Sequence, residues 1–494
     1  MSETAAKIGI LGAGLSGVLM GMQLRRAGID DFVIYERESD VGGTWLCNTY
    51  PGLHCDVPSH LYSYSFEPNP DWSTVYASQA EIQAYIRVCA EKYGLIGKIR
   101  FGVCVDEARY DDATATWRLT TADGETIEHR ALVSATGGLT KPNLPEIKGL
   151  DVFEGLTWHS GSWRDDVDMS DKRVAVIGSA ASAVQVVPEV ANRAKELHVF
   201  QRSPNWVMPR NNVPYTEEQK AAFRKGAAQR AHWCELYRRS LYMYRVTHKD
   251  PRMIEFFRQT VLHQMRRAID DPALIEALTP DYDPGCKRIV VSDEYYPALA
   301  REHVHLHPHA VTALTKNSVI AAGGDRTEVD IVIFCTGYKL GARADGGPAF
   351  EVYGRNGQRL LATLAKRAEA FRGIAIPGFP NYFTVCGING VAAYTSLVLS
   401  GEIQAEHIAQ RVKDLMNDRI KSVEAKTDAT REYNDLIQAE LQTMSWTGPC
   451  TNFYRDRTGR VVSFYPGTLG RMRREMRHID NDDYAMEMFS IKGS

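Results

Sequence analysis

The feature that most constrains the fold is a glycine-rich turn near the start of the chain. Gly12, Gly14 and Gly17 form the pattern G-x-G-x-x-G directly after the apolar run Ile8–Leu11. The first glycine allows a tight turn, the second lets the backbone approach a pyrophosphate, and the third lets a helix pack closely on the strand. Glu36 ends the next apolar run, about 20 residues further on, where a carboxylate can bind a ribose hydroxyl. The pattern predicts a strand–turn–helix–strand unit that binds a dinucleotide.

A second unit of the same kind is predicted from Arg173 to Val199. Gly178 occupies the first glycine position, but Ala180 and Ala183 replace the second and third glycines. Alanine is common at the third position, whereas at the second it adds a methyl group where a phosphate should approach. The residues expected to contact this nucleotide are Gly178, Ser179, Ser182, Arg202 and Ser203.

Arg202 follows the second strand of this unit, where the first unit has the acid Glu36. An acid accepts a hydrogen bond from a ribose hydroxyl, whereas an arginine binds a 2′-phosphate. Arginine at this position therefore favours NADP over NAD. The alternative, Arg202 as a solvated surface charge, stays open at this point.

The loop from Gly42 to Asp56, with the sequence GGTWLCNTYPGLHCD, lies between the two units and has no regular hydrophobic period. We expect it to pack against the nucleotide of the first turn, through Gly43, Thr44 and Trp45. Trp45 as simple hydrophobic filler is the alternative. Asp56 ends the loop, and a carboxylate there needs a cationic partner or water.

Composition excludes several classes of partner. The 494 residues are 44% hydrophobic and 24% charged, with a formal net charge of −3, so neither nucleic acid nor acidic lipid is an expected partner. No apolar run approaches the roughly 18 residues of a membrane span, and the first residues do not resemble a secretory leader. We therefore expect a cytoplasmic protein.

The nine cysteines are scattered, without C-x-x-C pairs or histidines at zinc spacing. We expect them to be reduced thiols, and we expect neither a disulfide nor a metal site.

A helical insertion is predicted at residues 214–284. Thr216 and Gln219 form a capping box, and Asp250 and Asp271, each followed by proline, are expected to begin two further helices. Its aromatic residues favour a helical core, and a lid over the substrate is the alternative. The expected core residues are Trp233, Tyr237, Tyr242, Tyr244, Phe256 and Phe257.

Two further features complete the pattern. Lys287 and Arg288 stand side by side after a Pro-Gly break, either as functional cations or as an exposed basic pair. Ala135-Thr136-Gly137 and Cys335-Thr336-Gly337 end two predicted strands, which suggests two places where the chain crosses between domains; Thr336 and Gly337 are also expected near a cofactor.

Taken together, these stretches resemble the two-dinucleotide flavoprotein monooxygenases, and within them the Baeyer–Villiger monooxygenases. The motif Phe153-x-Gly155-x3-His159-x3-Trp163 carries the resemblance, because the related enzymes that oxygenate nitrogen and sulfur usually have Tyr or Phe where Trp163 stands. One departure is Arg164, which intervenes between Trp163 and an acid. We expect His159 to act at a joint between the domains, or to be a satisfied buried histidine.

The resemblance implies an α/β fold with two Rossmann-like dinucleotide-binding domains and a helical insertion. The expected parts are an FAD domain at 1–142, an NADP domain at 150–213, the insertion at 214–284, the rest of the NADP domain at 285–337 and the rest of the FAD domain at 338–494.

The resemblance also implies the chemistry. FAD and NADP would be the cofactors, and a flavin peroxide would insert one oxygen atom from dioxygen next to the carbonyl of a ketone substrate. Arg288 would be catalytic with Asp56 holding it in place, and Lys287 would meet the 2′-phosphate of NADP. The alternative is oxygenation of sulfur or nitrogen, for which Arg288 would be unnecessary. A flavin disulfide reductase is disfavoured, because Cys47 and Cys55 lack the spacing of a redox pair. The substrate, and whether the protein is a monomer or a homodimer, stay open.

Overall fold

The computed structural model describes residues 7–139, 141–339, 350–416, 419–477 and 481–489. In chain order, the strands β1 to β23 within these residues are Ile8–Leu11, Phe32–Tyr35, Ile99–Arg100, Val105–Asp111, Thr116–Thr121, Thr126–His129, Ala131–Ser134, Leu156–His159, Arg173–Ile177, Glu196–Phe200, Val207–Met208, Val290–Val291, Val304–His307, Val311–Leu314, Ser318–Ala321, Arg326–Glu328, Ile331–Phe334, Glu351–Tyr353, Tyr382–Thr384, Val391–Ala392, Ile420–Ala425, Phe464–Tyr465 and Tyr484–Met488.

The α-helices α1 to α13 of the same residues are Leu15–Arg26, Thr44–Cys47, Gln79–Lys92, Ala181–Ala191, Glu217–Arg224, Ala227–Thr247, Pro251–Ala268, Pro272–Leu278, Tyr295–Leu299, Leu360–Lys366, Leu397–Leu415, Thr427–Leu441 and Leu469–Arg477.

The first unit is a parallel five-stranded sheet in the order β19-β7-β1-β2-β3. β1 is its central strand and is buried throughout, as expected for a parallel sheet covered on both faces. The first glycine-rich turn joins β1 to α1, and α1 packs against α11. Because β19 and α11 follow the second unit in the chain, two distant parts of the sequence build the first unit.

The second unit is a parallel sheet in the order β13-β10-β9-β17-β8. β9 is again central and runs into the second glycine-rich turn and α4. Parallel strands place such turns at their carboxyl ends, where α/β proteins bind nucleotides. The predicted fold class, an α/β chain with two Rossmann-like units, is confirmed.

The helices of the insertion, α5 to α8, divide between the two units. Phe223 and Leu236 of α5 and α6 are buried in the core around the first sheet. Val261 and Met265 of α7 are buried in the core around the second. The insertion therefore packs against both units.

The predicted caps of these helices are confirmed. Thr216 and Gln219 form a reciprocal capping box, and the side chains of Asp250 and Asp271 accept backbone N–H groups at the starts of α7 and α8. The predicted aromatic core holds for Phe257, which is buried, and for Trp233, Tyr237 and Tyr244, which pack against the first core. It is wrong for Tyr242 and Phe256, which are 46% and 56% exposed because they lie on the outer faces of their helices.

The expectation of reduced thiols throughout is wrong for one pair. Cys286 and Cys450 form a disulfide, with their Cα atoms 6.2 Å apart and a sequence separation of 164. The loop that precedes Lys287 and a segment near the end of the chain meet at this point, and Ser445 Oγ also donates to Gly285 O. The sequence spacing carried no sign of the pair, because only the folded chain brings the two segments together.

The remaining cysteines of the described chain are free thiols. None of the helices in the part of the chain that the structure describes is long and apolar enough to cross a bilayer. The described residues contain no cluster of three metal-ligating side chains that could hold an ion. The domain boundaries remain a prediction, and residues 1–6, 140, 340–349, 417–418, 478–480 and 490–494 of the proposed FAD domain lie outside the described residues.

Candidate active site

The first glycine-rich turn needs glycine for space as well as for conformation. Gly12 has φ +99°, and a Cβ added to it would lie 2.8 Å from the carbonyl oxygen of Ala135. A Cβ on Gly17 would lie 1.8 Å from Gly12 O. α1 can therefore approach β1 closely enough to direct its amino end along the turn, which is the geometry that binds a pyrophosphate.

The loop from Gly42 to Asp56 closes over this turn. Gly42 N–H donates to Ala13 O at 3.1 Å, and a Cβ on Gly43 would lie 2.9 Å from the Cα of Gly14. Thr44 then begins α2. Trp45 is buried, and its indole N–H donates to Tyr62 Oη at 3.1 Å. The loop therefore needs glycine at position 43, whereas a Cβ on Gly14, the second glycine of the turn, would lie 3.4 Å from the Cα of Gly43, an ordinary contact.

Glu36 lies where an acid that binds ribose is expected. Its buried carboxylate accepts the N–H of Ala13 at 2.6 Å and that of Glu38 at 3.0 Å. Each oxygen keeps a lone pair for a further donor. The acid therefore fixes the turn and can still accept a hydroxyl hydrogen bond, so the residues present fit FAD.

The second turn is built in the same way with fewer constraints. Gly178 has φ +138°, and its added Cβ would lie 2.3 Å from Cys335 O. Ser179 Oγ donates to Ser203 O at 2.8 Å. Ala180 is the N-cap of α4 and is exposed, with no loop packed on it as Gly43 packs on Gly14. Alanine at this position is therefore free of steric conflict within the described protein.

Lys287 and Arg202 converge beside this turn. Lys287 Nζ donates to Ser203 Oγ at 2.6 Å. Burial lowers the pKa of Lys287, and repulsion by Arg202 lowers it further, against a smaller opposing effect of Asp281. Two neighbouring cations stabilise an anion between them, and a 2′-phosphate is such an anion. These residues fit NADP.

Asp56 and Arg288 form a bidentate ion pair across 232 residues of sequence. Arg288 Nε donates to Asp56 Oδ2 at 2.8 Å, and Arg288 Nη2 donates to Oδ1 at 2.5 Å. The charge of Asp56 raises the pKa of Arg288 above its usual value despite burial. The geometry joins the loop of the first unit to the segment that follows Lys287 in the second.

The Arg288 side chain is only partly covered by the protein. The side chain of Arg288 is 46% exposed and that of Asp56 is 17% exposed. Tyr62, Tyr76 and Tyr454 lie within electrostatic range of the pair, and burial raises the pKa of each phenol. Within the described part of the chain, no hydrogen-bond partner of Arg288 Nη1 is found. Asp56 can therefore hold the charged guanidinium of Arg288 in a fixed position beside three neutral phenols.

The residues of the 153–163 motif lie apart from this pair and pack the second sheet. Phe153 is buried, and a Cβ on Gly155 would lie 2.6 Å from its ring and 2.3 Å from Asp330 O. His159 is buried at the end of the edge strand β8, which lowers its pKa, and its Nδ1 accepts the N–H of Gly161 at 3.0 Å. Trp163 packs edge-on against Trp158.

The second chain crossing is held by backbone contacts. Thr336 Oγ1 donates to Asn143 O at 2.7 Å, and Gly337 O accepts the N–H of Asn143 at 2.9 Å. Tyr338, which sequence reasoning missed, packs edge-on against His159 and donates its hydroxyl proton to Asn48 Oδ1. The motif is thereby linked to the Gly42–Asp56 loop, as expected of a joint between the two units.

Sequence reasoning also missed two other contacts at the site. Tyr454 comes from the segment held by the disulfide, and nothing in its sequence context marked it. Gln185 of α4 donates from Nε2 to His54 O at 3.0 Å. Ser182, Gln185 and Glu189 share one polar face of an otherwise apolar helix, and this face was the available signal.

The sequence matches those of known proteins over most of its length. Residues 5–344 match the family described as flavin-binding monooxygenase-like. The chain is 38% identical over 486 residues to a Baeyer–Villiger monooxygenase of Streptomyces coelicolor, covering 97% of this chain and 92% of that one. It is 37% identical over 483 residues to one of Pseudomonas aeruginosa, covering 97% and 91%.

Solved structures agree in fold. A steroid monooxygenase bound to NADP superposes with a TM-score of 0.85 at 28% identity, covering 98% of this chain and 99% of that one. The structure of OTEMO in complex with FAD and NADP superposes with a TM-score of 0.88 at 24% identity, covering 98% and 100%. The chain belongs to the flavin-binding monooxygenase family and, within it, to the Baeyer–Villiger monooxygenases.

Proposed function

We propose that this protein uses FAD and NADPH to insert one oxygen atom of dioxygen next to the carbonyl of a ketone, giving an ester or lactone. The observation that carries the proposal is the bidentate Asp56–Arg288 pair, which joins the loop of the first unit to the second unit. The curated relatives named Baeyer–Villiger monooxygenases support it.

FAD is held at the first turn. Gly12, Gly14 and Gly17 leave room for the pyrophosphate, and Glu36 accepts a ribose hydroxyl. Gly43, Thr44 and Trp45 close the loop over the same side, since this loop already contacts the turn. When bound and reduced, FAD supplies the activation of dioxygen.

NADPH is held at the second turn. The amino end of α4, with Gly178 and Ser179 before it and Ser182 in its first turn, would hold the pyrophosphate. Lys287 and Arg202 bind the 2′-phosphate, with Ser203 between them. Thr336 and Gly337 lie at the end of β17, next to the same turn.

Arg288 stabilises negative charge on the reacting oxygen atoms. A guanidinium stays charged at any working pH and donates from a planar fork. A unit charge about 4 Å away contributes roughly 4 kcal/mol at an effective dielectric constant near 20. Asp56 binds Nε and Nη2 and leaves Nη1 for the reacting group, so its role is to orient the arginine and to offset its charge.

Oxygenation of sulfur or nitrogen as the main reaction is not favoured. That chemistry needs no fixed cation beside the reacting oxygen, and the chain devotes the partly buried carboxylate of Asp56 to placing one.

The proposed partners are a small ketone substrate and dioxygen, in a monomer or homodimer. A cytoplasmic location is also part of the proposal. In that compartment disulfides are chiefly catalytic or redox-sensing, so the Cys286–Cys450 bond would be unusual there.

The proposal is tested with Arg288→Met, which keeps the length of the side chain and removes its charge. Under anaerobic conditions NADPH should still reduce the flavin of the variant. With air, NADPH and a cyclic ketone, ester formation should fall by at least about a hundredfold, the scale of losing one charged oxyanion donor. Gas chromatography of the products measures both ester and unreacted ketone.

Arg173→Met is the matched control. Arg173 pairs with Asp330 at 3.0 Å as Arg288 pairs with Asp56, but it lies at the start of β9, away from Arg288. This variant should keep its ester formation. Wild-type rates of ketone oxidation by Arg288→Met would contradict the proposal, as would a wild-type enzyme that converts an added sulfide but no ketone.

A further inference from the structure

Helix α4 contacts the loop that carries Asp56 at three points. The Tyr50 hydroxyl lies beside Ser182, whose side chain opposes the burial that raises the pKa of Tyr50. Gly52 has φ +76°, and a Cβ added there would lie 2.9 Å from the backbone oxygen of Gln185 and 3.1 Å from Glu189 Cγ. Gln185 Nε2 donates to His54 O at 3.0 Å. The helix of the second unit is therefore fitted directly against the loop of the first.

Of the three contacts, the one made by Gln185 lies nearest to Asp56. His54 precedes Asp56 by two residues, and Cys55 between them is buried, with its N–H donating to Ala77 O at 3.0 Å. The loop is thus held on one side by its own unit and on the other by Gln185. Among the described residues, no backbone hydrogen bond joins Asp56 to α4, so Asp56 is linked to that helix through His54.

Within the described residues, the side-chain amide of Gln185 forms a hydrogen bond through its nitrogen alone. Its Oε1 is buried and has no hydrogen-bond partner among the described residues. A buried amide oxygen without a partner is unfavourable, so the side chain is kept in place by its Nε2 bond and by packing. The fold therefore keeps the Gln185–His54 hydrogen bond although the amide oxygen of Gln185 has no partner among the described residues.

We propose that Gln185 is a positioning residue that couples nucleotide binding at the amino end of α4 to the placement of Asp56, and through Asp56 to that of Arg288. The inference rests on the proposed function, since it concerns the arginine of that reaction. Phosphate binding at a helix amino end fixes the helix. Because α4 is rigid and bonded to the carbonyl of His54, the loop is then fixed with it.

The test is hydrogen–deuterium exchange of the resting, FAD-loaded protein, with and without NADP⁺. In the wild type, NADP⁺ should slow the exchange of the peptide that spans residues 53–57 by about tenfold, which corresponds to about 1.4 kcal/mol of added local stability. In Gln185→Leu this protection should be lost, while the affinity for NADP⁺, measured by calorimetry, changes less than about threefold.

Gln264→Leu is the matched control. Gln264 on α7 also donates from Nε2 to a backbone carbonyl, that of Ser292, at 2.7 Å, and its Oε1 is also buried without a partner among the described residues. It lies away from the loop of Asp56. This variant should keep the protection of residues 53–57.

A kinetic measurement distinguishes positioning from general loss of structure. Gln185→Leu should leave the KM for NADPH within about threefold and lower the kcat for ester by about tenfold, with a matching rise in hydrogen peroxide released per NADPH consumed. Gly52→Ala disturbs the same contact from the loop side and should give the same pattern, so it serves if Gln185→Leu fails to fold.

Two results would overturn the inference. One is protection of residues 53–57 by NADP⁺ that persists in both Gln185→Leu and Gly52→Ala. The other is a loss of NADP⁺ affinity beyond about tenfold in Gln185→Leu, which would make Gln185 a direct ligand of the nucleotide. The exchange experiment gives its answer even if the wild type forms no ester, so failure of the proposed function and failure of this inference are separable.

Discussion

At the scale of single residues, Glu402 is the most perturbed acid of the described chain. It lies on α11 and is 4% exposed, and its carboxylate accepts the N–H and the hydroxyl of Ser65 at 2.5 and 2.6 Å. Burial raises its pKa to about 7, against the hydrogen bonds of Ser65 and the charge of Arg473, while Glu406 raises it slightly. The residue joins the part of the chain after the second unit to the part before it.

The raised pKa of Glu402 predicts that the stability of the protein depends on pH. Because the folded state binds the proton more tightly than the unfolded state, the contribution of this group is fully present below about pH 4.5 and is lost as the pH rises through about 7. Glu402→Gln removes the charge, while its Oε1 can still accept the N–H of Ser65 and its Nε2 can donate to the Ser65 hydroxyl. At pH 8 it should raise the free energy of unfolding by up to about 3 kcal/mol, with little effect at pH 4.5.

Urea unfolding at the two pH values measures this difference. Glu406→Gln, the same change at an exposed position one turn further along α11, should alter stability little at either pH. A Glu402→Gln variant that is no more stable at pH 8 than the wild type would contradict the prediction.

At the scale of elements, β8 explains part of the motif that carried the resemblance. This edge strand reaches β17 only because Gly155 leaves room for the ring of Phe153 and the carbonyl of Asp330. The first half of the motif therefore serves packing of the second sheet. Its second half, through His159 and Tyr338, contacts the loop of the first unit.

Gly155→Ala should therefore destabilise the protein. Its Cβ would lie 2.3 Å from a backbone oxygen, which cannot move without shifting β17, so a loss of about 1–3 kcal/mol is expected. Thermal unfolding followed by circular dichroism measures it. Gly97→Ala is the control, because nothing lies within 4 Å of its added Cβ and its φ is not positive; equal losses in the two variants would refute the packing role of Gly155.

Local elements were predictable from the sequence because their causes are local. Both strand–turn–helix units, the capping box of α5 and the proline starts of α7 and α8 follow from residues a few positions apart. Asp56 and Arg288, 232 residues apart, were paired only through the resemblance, since no local pattern brings them together. The contact of Gln185 with His54 spans 131 residues and had no sequence signal strong enough to identify it.

Burial of the insertion was only partly predictable for a related reason. Helical spacing shows which side chains share a face, but α5–α6 and α7–α8 face two different cores. Tyr242 and Phe256 carry the same hydrophobic signal as their buried neighbours, and only the position of the two units decides that they face outward.

At the scale of the whole molecule, the Cys286–Cys450 bond joins the second unit to the final segment of the chain. Reduction, or the double variant Cys286→Ser/Cys450→Ser, should lower the free energy of unfolding by about 3–5 kcal/mol, because a cross-link over so long a loop restricts the unfolded chain. Urea unfolding with and without dithiothreitol measures the difference.

Cys104→Ser, which removes an exposed free thiol, should unfold as the wild type does and respond to the reductant in the same way. Complete alkylation of all nine cysteines in the unreduced, unfolded protein would show that the bond is not formed.

The strand order of the first sheet also determines when that sheet can be completed during synthesis. β7 must wait for β19, and α1 must wait for α11, because the whole second unit is synthesised in between. At about 5–20 residues per second, the roughly 250 residues from β7 to β19 take on the order of 10 to 50 seconds on the ribosome. During that interval the nascent chain can complete its NADP-binding sheet while the edge of β7 stays unpaired. Capture of FAD with the full sheet in place is therefore a late event in synthesis, and a slowly translated stretch before β19 would lengthen the time for which that edge is open to aggregation.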